Sequence, residues 1–132
     1  MPEAFEYSYA IIRVVPQVER EEFLNVGIIL YSKPNQYLGV KYLLDDNRLQ
    51  NLFPKADIAD IRKHLQAYEA IAQGKKDAGP IATLDIGSRF RWLTAKRSTV
   101  IQSSDVHPGI CKNADDTLDK LMQELVLMRN ED

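Results

Sequence analysis

Cysteine, signal-peptide features and long hydrophobic runs are scarce or missing in this sequence. The single cysteine, Cys111, excludes an intramolecular disulfide and fits a reducing compartment. The longest apolar run, residues 26–31, has the length of a strand and falls far short of the roughly 20 residues that span a bilayer. Glu3 and Glu6 stand where a signal peptide carries positive charge. These features predict a cytoplasmic protein without a membrane segment.

Excess charge and metal-ligating residues are also scarce. Lys and Arg number 17 against 19 Asp and Glu, so a net charge of −2 gives no overall electrostatic basis for binding nucleic acid. The two histidines are His64 and His107, and only His107 has a cysteine, Cys111, at ligand spacing. We therefore predict no metal, no cofactor and no catalytic residue, and the sequence leans against an enzyme.

The composition that remains is that of an ordinary globular domain. Hydrophobic residues make up 45% of the 132 residues and charged residues 27%. This length accommodates one domain, and we see no linker or repeat, so residues 1–132 are predicted to form a single domain.

The first third of the chain is typical of an antiparallel meander. Strand-forming residues dominate the segments 7–15, 26–32 and 37–44. Only four residues separate the second from the third, so these two strands are predicted to be antiparallel. The connector 17–25 is predicted to hold a single helical turn.

The rest of the chain is predicted to be mostly helical. Segment 45–53 fits a short helix, and 56–73 has an apolar stripe at Ile58, Ile61, Leu65 and Tyr68. Segment 81–94 fits either a strand or a helix, 98–102 fits a short strand, and 107–109 fits a turn. A final helix is capped by Asn113 and carries an apolar stripe. The members of that stripe are Leu118, Leu121, Met122, Leu125 and Met128.

Together these elements predict the α+β class. The antiparallel sheet opens with a three-stranded meander, and a long central helix and a C-terminal helix pack on it. Gly27, inside the second strand, predicts a bulge or a close approach of another backbone.

Positive charge is concentrated in one segment, which makes it the candidate ligand surface. Between Ile86 and Lys112 stand five cations and one acid, Asp105; the cations are Arg89, Arg91, Lys96, Arg97 and Lys112. Phe90 and Trp92 are interleaved with them. Arginine forks suit phosphate geometry, and aromatic faces stack on bases. The alternative is that both aromatics belong to the core and that the arginines are solvated or pair with the acidic final helix.

Arg13 stands apart from this segment, in the middle of the first strand. A buried arginine needs a partner, and the candidates are Glu21, Glu22 or an anionic ligand. Ser98 and Gln102 extend the basic segment with polar groups. The predicted binding set is Arg13, Arg89, Arg91, Arg97, Ser98 and Gln102.

Several blocks of the sequence, taken together, resemble a known family. These blocks are residues 7–9, Arg13-Val14-Val15-Pro16, residues 22–30, 79–82, 89–95 and 97–102, and Val106-His107. They are similar to the bacterial domain of unknown function 3037, and the likeness runs from about Tyr7 to Val126. Lys96 stands where that family favours proline. The resemblance implies a small stand-alone bacterial protein with no established activity. It also implies that genes of this family often lie beside genes for HipA-type kinases.

Two functional hypotheses follow. The first is a non-enzymatic interaction or regulatory module with a protein partner, for which the resemblance suggests a HipA-type kinase. The second is a protein that recognises phosphate, a nucleotide or nucleic acid, with nuclease or phosphoryl-transfer activity as a variant. A nuclease favours clustered carboxylates, but Glu21-Glu22 and Asp45-Asp46 fit surface connectors. Convergence of the arginines on one pocket would favour the second hypothesis, and a homodimer stays open under either.

For the final helix we expect one of two contacts. Its acids, including Asp115, Asp116 and Asp119, are predicted to lie near the basic segment or to face a second copy of the chain.

Overall fold

The computed structural model describes residues 3–127, and it confirms an α+β fold with an antiparallel sheet. The strands are β1 (Phe5–Val14), β2 (Leu24–Ser32), β3 (Tyr37–Tyr42), β4 (Ile101–Ser103) and β5 (His107–Cys111). The helices are α1 (Asp46–Leu52), α2 (Ile58–Ala72), α3 (Ile86–Leu93) and α4 (Ala114–Met122), and α4 continues as a π-helical turn at Gln123–Leu127. Short 3₁₀ turns lie at Val18–Arg20 and Pro80–Thr83. No helix in this part of the chain has the length and apolarity needed to cross a bilayer.

β1 is the centre of the five-stranded sheet. The strand order is β3-β2-β1-β4, and β5 also pairs with β1. β4 pairs with Ile12–Val14 and β5 with Phe5–Tyr9, so these two short strands share one edge of β1. β1, β2 and β3 form the predicted antiparallel meander. Both faces of β1 are apolar because both contribute to a core: one face is buried with α2 and α3 from Ala10 onward, and the half-buried other face packs against the cluster under α4.

A bulge at Gly27 shifts the register between β1 and β2. Ile12 is opposite Gly27, but Arg13 is opposite Asn25, so the β2 strand has one extra residue here. A Cβ atom at Gly27 would lie 2.5 Å from the carbonyl oxygen of Lys41, on β3. Only glycine fits this position, and the prediction of a bulge with close backbone approach is confirmed.

Two apolar clusters lie on opposite faces of the sheet. On the first face, which we call the α2/α3 face, Ile12 and Val14 of β1 pack against α2 and α3. On the other, the α4 face, Ile28 and Leu30 of β2 pack against α4. The buried residues that α2 and α3 contribute to the first face are Ile61, Leu65, Tyr68, Ala72, Phe90 and Leu93.

Each α-helix begins at an acidic or amide cap. Asp45, Asp57, Asp85 and Asn113 each accept a hydrogen bond from the backbone N–H three residues on, at 3.0–3.2 Å. The predicted Asn113 cap is thereby confirmed. The cap at Asp85 also resolves the ambiguity of segment 81–94, which forms a 3₁₀ turn followed by α3.

The prediction of a turn at residues 107–109 is wrong. His107, Pro108 and Gly109 lie in β5, opposite Tyr9, Ser8 and Tyr7 of β1. A proline that lacks an N–H is tolerated because β5 is an edge strand. The strand predicted at 98–102 is displaced toward the C-terminus and occupies Ile101–Ser103.

The prediction that the acids of the final helix lie near the basic segment is also wrong. α4 lies on the face of the sheet opposite to α3. Asp115 accepts a hydrogen bond from the Tyr37 hydroxyl at 2.6 Å, and Asp119 forms an ion pair with Lys41. The acids therefore attach α4 to strand β3. Met128 of the predicted stripe lies outside the described residues.

The α2 stripe gives a test of the packing. Replacing Ile61 by Ala should lower the free energy of unfolding by about 2–5 kcal/mol, because the side chain is 2% exposed and the change leaves a cavity. Urea unfolding followed by circular dichroism measures the loss. Gln66→Ala, on the exposed side of the same helix, is the control and should change stability by less than about 0.5 kcal/mol. Equal losses in both variants would refute this packing.

Candidate functional site

The six predicted binding residues do not meet in one pocket. Arg13 and Gln102 are register partners on β1 and β4, and Arg13 points to the α4 face. Arg89 and Arg91 lie in α3, which packs on the opposite face. The other two, Arg97 and Ser98, follow α3 in the loop that leads to β4, where Ser98 is exposed. The structure therefore divides the predicted set into two separate groups.

Arg89 has a structural role at the end of α2. Its guanidinium donates a hydrogen bond to the carbonyl oxygen of Leu84 and another, of 3.4 Å, to that of Ala72. Ala72 is the last residue of α2, and helix ends leave carbonyl groups without helical partners. Arg89 therefore joins the C-terminus of α2 to α3.

Arg91, Trp92 and Arg97 form the outward part of the basic segment, which we call the α3 surface. The Arg97 guanidinium lies over the Trp92 ring, 3.9 Å from its centroid, and donates to the Trp92 carbonyl oxygen. Arg91 donates to the Ser88 hydroxyl at 3.2 Å. Trp92 is 38% exposed and Arg91 is exposed too, so the α3 surface presents an aromatic ring with an arginine stacked on it and a second arginine on the same helix.

The two aromatic residues of the segment have different environments. Phe90 is buried and stacks on Tyr31, with ring centroids 5.2 Å apart. The alternative reading of the sequence, in which both aromatics belong to the core, therefore holds for Phe90 but not for Trp92.

The cations of the α3 surface have no carboxylate partner within residues 3–127. Lys96 forms an ion pair with Asp105 at 2.7 Å, and this contact lowers the pKa of Asp105. No comparable ion pair involves Arg91 or Arg97. Asp85 lies within electrostatic range of Arg91: hydrogen bonds from Ser88 and, to a smaller extent, the charge of Arg91 lower the pKa of this carboxyl. Because no ion pair forms, both guanidinium groups can still contact a partner.

A second group of polar side chains crosses the sheet on the α4 face. Asn25 of β2, Arg13 of β1 and Gln102 of β4 are in register, and we call them the Arg13 row. The Arg13 guanidinium lies 4.1 Å from the centroid of the Phe23 ring, which is 47% exposed. Arginine and an aromatic ring in this geometry attract each other electrostatically.

Hydrogen bonding in the Arg13 row is incomplete. The amide nitrogen of Asn25 donates to the carbonyl oxygen of Leu125 in the π-helical turn at 3.4 Å, and that of Gln102 donates to Thr99 at 2.9 Å. The Nε atom of Arg13 and the Oδ1 atom of Asn25 are buried without a partner. Buried polar atoms without partners are uncommon in native proteins.

The predicted pairing of Arg13 with Glu21 or Glu22 is wrong. Glu22 is exposed and pairs with Arg20 at 2.6 Å, and no ion pair joins Glu21 to Arg13. The reason is directional: Arg13 faces the α4 side of the sheet, where Phe23 and Asn25 are its neighbours.

Phe23 and Asn25 were missing from the predicted set. The sequence does place Asn25 at the start of a strand, but its position opposite Arg13 depends on the register shift at Gly27. The register of β1 and β2, with the bulge at Gly27 included, is what identifies Asn25 as the neighbour of Arg13.

Both groups of residues have side chains suited to binding a ligand or a partner. Within residues 3–127 no group of three or more His, Cys, Asp or Glu side chains is arranged to hold a metal ion. The two groups present guanidinium, amide and aromatic groups, which bind anions and acidic surfaces.

Comparison with known proteins gives a family. Residues 9–126 match the model of a family described as protein of unknown function (DUF3037). The match covers most of the chain, so this protein belongs to that family, as the sequence resemblance indicated. No curated protein and no solved structure gives a significant match.

The different roles of Arg89 and Arg91 can be tested by measuring the free energy of unfolding of two variants. Arg89→Ala should lower the free energy of unfolding by about 1–3 kcal/mol, because it removes charged hydrogen bonds to the carbonyl groups of Leu84 and Ala72. Arg91→Ala, an exposed position, should change it by less than about 0.5 kcal/mol. Urea unfolding of both variants decides this, and a neutral Arg89→Ala would show that its contacts do not stabilise the fold.

Proposed function

We propose that this protein is a non-enzymatic interaction module that binds an acidic surface of a protein partner through the α3 surface. The observation that carries the proposal is the exposed Trp92, stacked under Arg97 and beside Arg91, with no carboxylate of residues 3–127 paired to either arginine.

The residue types of the α3 surface support this proposal. Tryptophan and arginine are the residues that most often carry the binding energy of protein interfaces. Their geometry also supports it, since Arg97 is already held against the ring and against the Trp92 carbonyl oxygen. Little side-chain freedom remains to be lost on binding, and this favours affinity.

The charge of the surface defines the partner that fits it. Arg97 lies over the Trp92 ring and Arg91 is on the same short helix as Trp92, so this part of the protein carries positive charge that a negative partner would balance. The acids of α4 do not provide that charge, because they contact β3 on the other face of the sheet. An acidic patch on a partner would provide it, and would also accelerate association.

The family resemblance suggests the first partner to test, a HipA-type kinase from the same bacterial host. The support for this choice is the genomic company implied by the family, and the support for an acidic docking surface is the charge of the α3 surface. A complex of this kind would form in the cytoplasm.

The proposal predicts a loss of partner binding in the double variant Arg91→Ala, Arg97→Ala. We expect the variant to stay folded and its affinity for the purified kinase to fall about tenfold or more, because two charged interface contacts are removed. Isothermal titration calorimetry measures the affinity. Wild-type binding should weaken between low and moderate salt, since exposed charges are screened over roughly 10 Å at 0.1 M.

A matched control is available in the loop after α2. Lys75→Ala, Lys76→Ala removes the same charge from two exposed positions outside the α3 surface and should leave binding unchanged. Arg97→Lys keeps the charge but loses the planar stacking on Trp92, so we expect an intermediate affinity. Wild-type affinity in the folded double variant, or equal losses in the lysine control, would contradict the proposal.

A further inference from the structure

We propose that the Arg13 row and Phe23 form a second binding site, which takes a small oxyanion that carries its own hydrogen-bond donor, namely a protonated phosphate group. This site is separate from the α3 surface, because Arg13 points to the opposite face of the sheet.

The first argument is the missing counter-charge. Within residues 3–127 no ion pair involves Arg13, although its Nε atom is buried. Asp105 lies within electrostatic range of Arg13, but it is exposed and pairs with Lys96 at 2.7 Å. A buried N–H donor without a partner is unfavourable, and an anionic ligand would supply the acceptor that the Arg13 Nε atom lacks.

The second argument is the continuity of the α4 face along β1. Tyr7, Tyr9 and Ile11 precede Arg13 on this face, and all three pack against the apolar cluster under α4. Arg13 is the next position, where an apolar side chain would extend the same cluster. Its neighbours on β2 and β4, Asn25 and Gln102, are polar too. The change from apolar to polar character thus spans three strands, a width suited to a small ligand.

The third argument is the order of donors and acceptors across the row. Arg13, in the centre, has donors only. The amide nitrogens of Asn25 and Gln102 each donate one hydrogen bond, to the carbonyl oxygens of Leu125 and Thr99, and the buried Oδ1 of Asn25 is an acceptor without a partner. The three residues are register partners on adjacent strands, which are about 4.8 Å apart, so one small ligand can span them.

This order selects among anions. A ligand needs an acceptor oxygen for Arg13 and a hydrogen-bond donor for Asn25 Oδ1, which is buried and has no partner. Phosphate retains a proton at neutral pH and offers both groups, whereas sulfate has no proton and would place a negative oxygen against the amide oxygen. Inorganic phosphate has this combination at neutral pH, whereas a phosphate monoester, whose second pKa is about 6, is then mostly deprotonated and lacks the donor.

Phe23 controls access to the row. The Arg13 Nε and Asn25 Oδ1 atoms lie below the surface, and the exposed Phe23 ring lies against the guanidinium. Phe23 lies between the 3₁₀ turn and β2, after Glu21, whose φ of 58° is in the left-handed region. We expect the ring to shift when a ligand reaches the two buried atoms.

The test is a titration of the full chain followed by ¹⁵N NMR of the arginine Nε–H and asparagine side-chain signals. Inorganic phosphate should shift the Arg13 and Asn25 signals with saturation, and sulfate at the same ionic strength should shift them at least tenfold less strongly. Adenosine monophosphate at about pH 7.5 tests the role of the proton: its mostly deprotonated phosphate should bind more weakly than inorganic phosphate, and equal or tighter binding would overturn the proposed selection.

Two variants complete the test. Arg13→Met should abolish the phosphate response, whereas Arg20→Met, at an exposed arginine paired with Glu22, should retain it. Asn25→Leu should remove the preference for phosphate over sulfate. If Arg13→Met does not fold, the wild-type titration decides alone. Absence of a saturable phosphate shift would overturn the proposal, as would equal shifts with sulfate or an unchanged response in folded Arg13→Met.

Discussion

The pairing of β1 is the constraint on which the rest of the structure depends. This strand is bonded to β2 along one edge and to β4 and β5 along the other, and each of its faces contributes side chains to an apolar cluster. Its alternate side chains therefore belong to two different cores, Ile12 to one and Ile11 to the other. Every other element is placed relative to this strand, including the two candidate binding surfaces.

The position of β1 also explains why those surfaces are independent. The α3 surface is attached to the sheet through Phe90 and Leu93 on one side, and the Arg13 row belongs to the sheet itself on the other side. The sheet and the buried cluster on the α2/α3 face lie between the row and α3. A partner bound at α3 and an anion bound at Arg13 would therefore contact different side chains.

Much of the fold could be predicted from the sequence, because its signals are local. The meander, the cap at Asn113 and the buried stripe of α2 follow from patterns within about ten residues. β5 could not be predicted in this way. Pro108 and Gly109 have the composition of a turn, and only pairing with β1, a hundred residues earlier, makes them a strand. The fold class was accessible, but the full sheet was not.

The candidate site likewise has features that the sequence predicts and features that only the fold determines. The charge density around α3 was visible in the sequence, but the contacts of each arginine were not, since Arg89 bonds to carbonyl groups of two other elements. Gln102 lies beside Arg13 only because β1 pairs with β4, which is 89 positions away in the sequence. Asn25 lies beside Arg13 only because the register shifts at Gly27. Side-chain function at these positions is set by long-range pairing, which composition and spacing do not encode.

That long-range pairing has a consequence for how the chain folds. One edge of β1 is completed by β4 and β5, which are synthesised about ninety residues later. Contacts so distant in sequence require the closure of a large loop and slow the folding reaction. While the chain is still emerging from the ribosome, this edge of an apolar strand has no native partner, and such an edge invites pairing with another chain. The short, proline-containing β5 thus serves the nascent protein as well as the mature one, because its arrival closes the edge of β1.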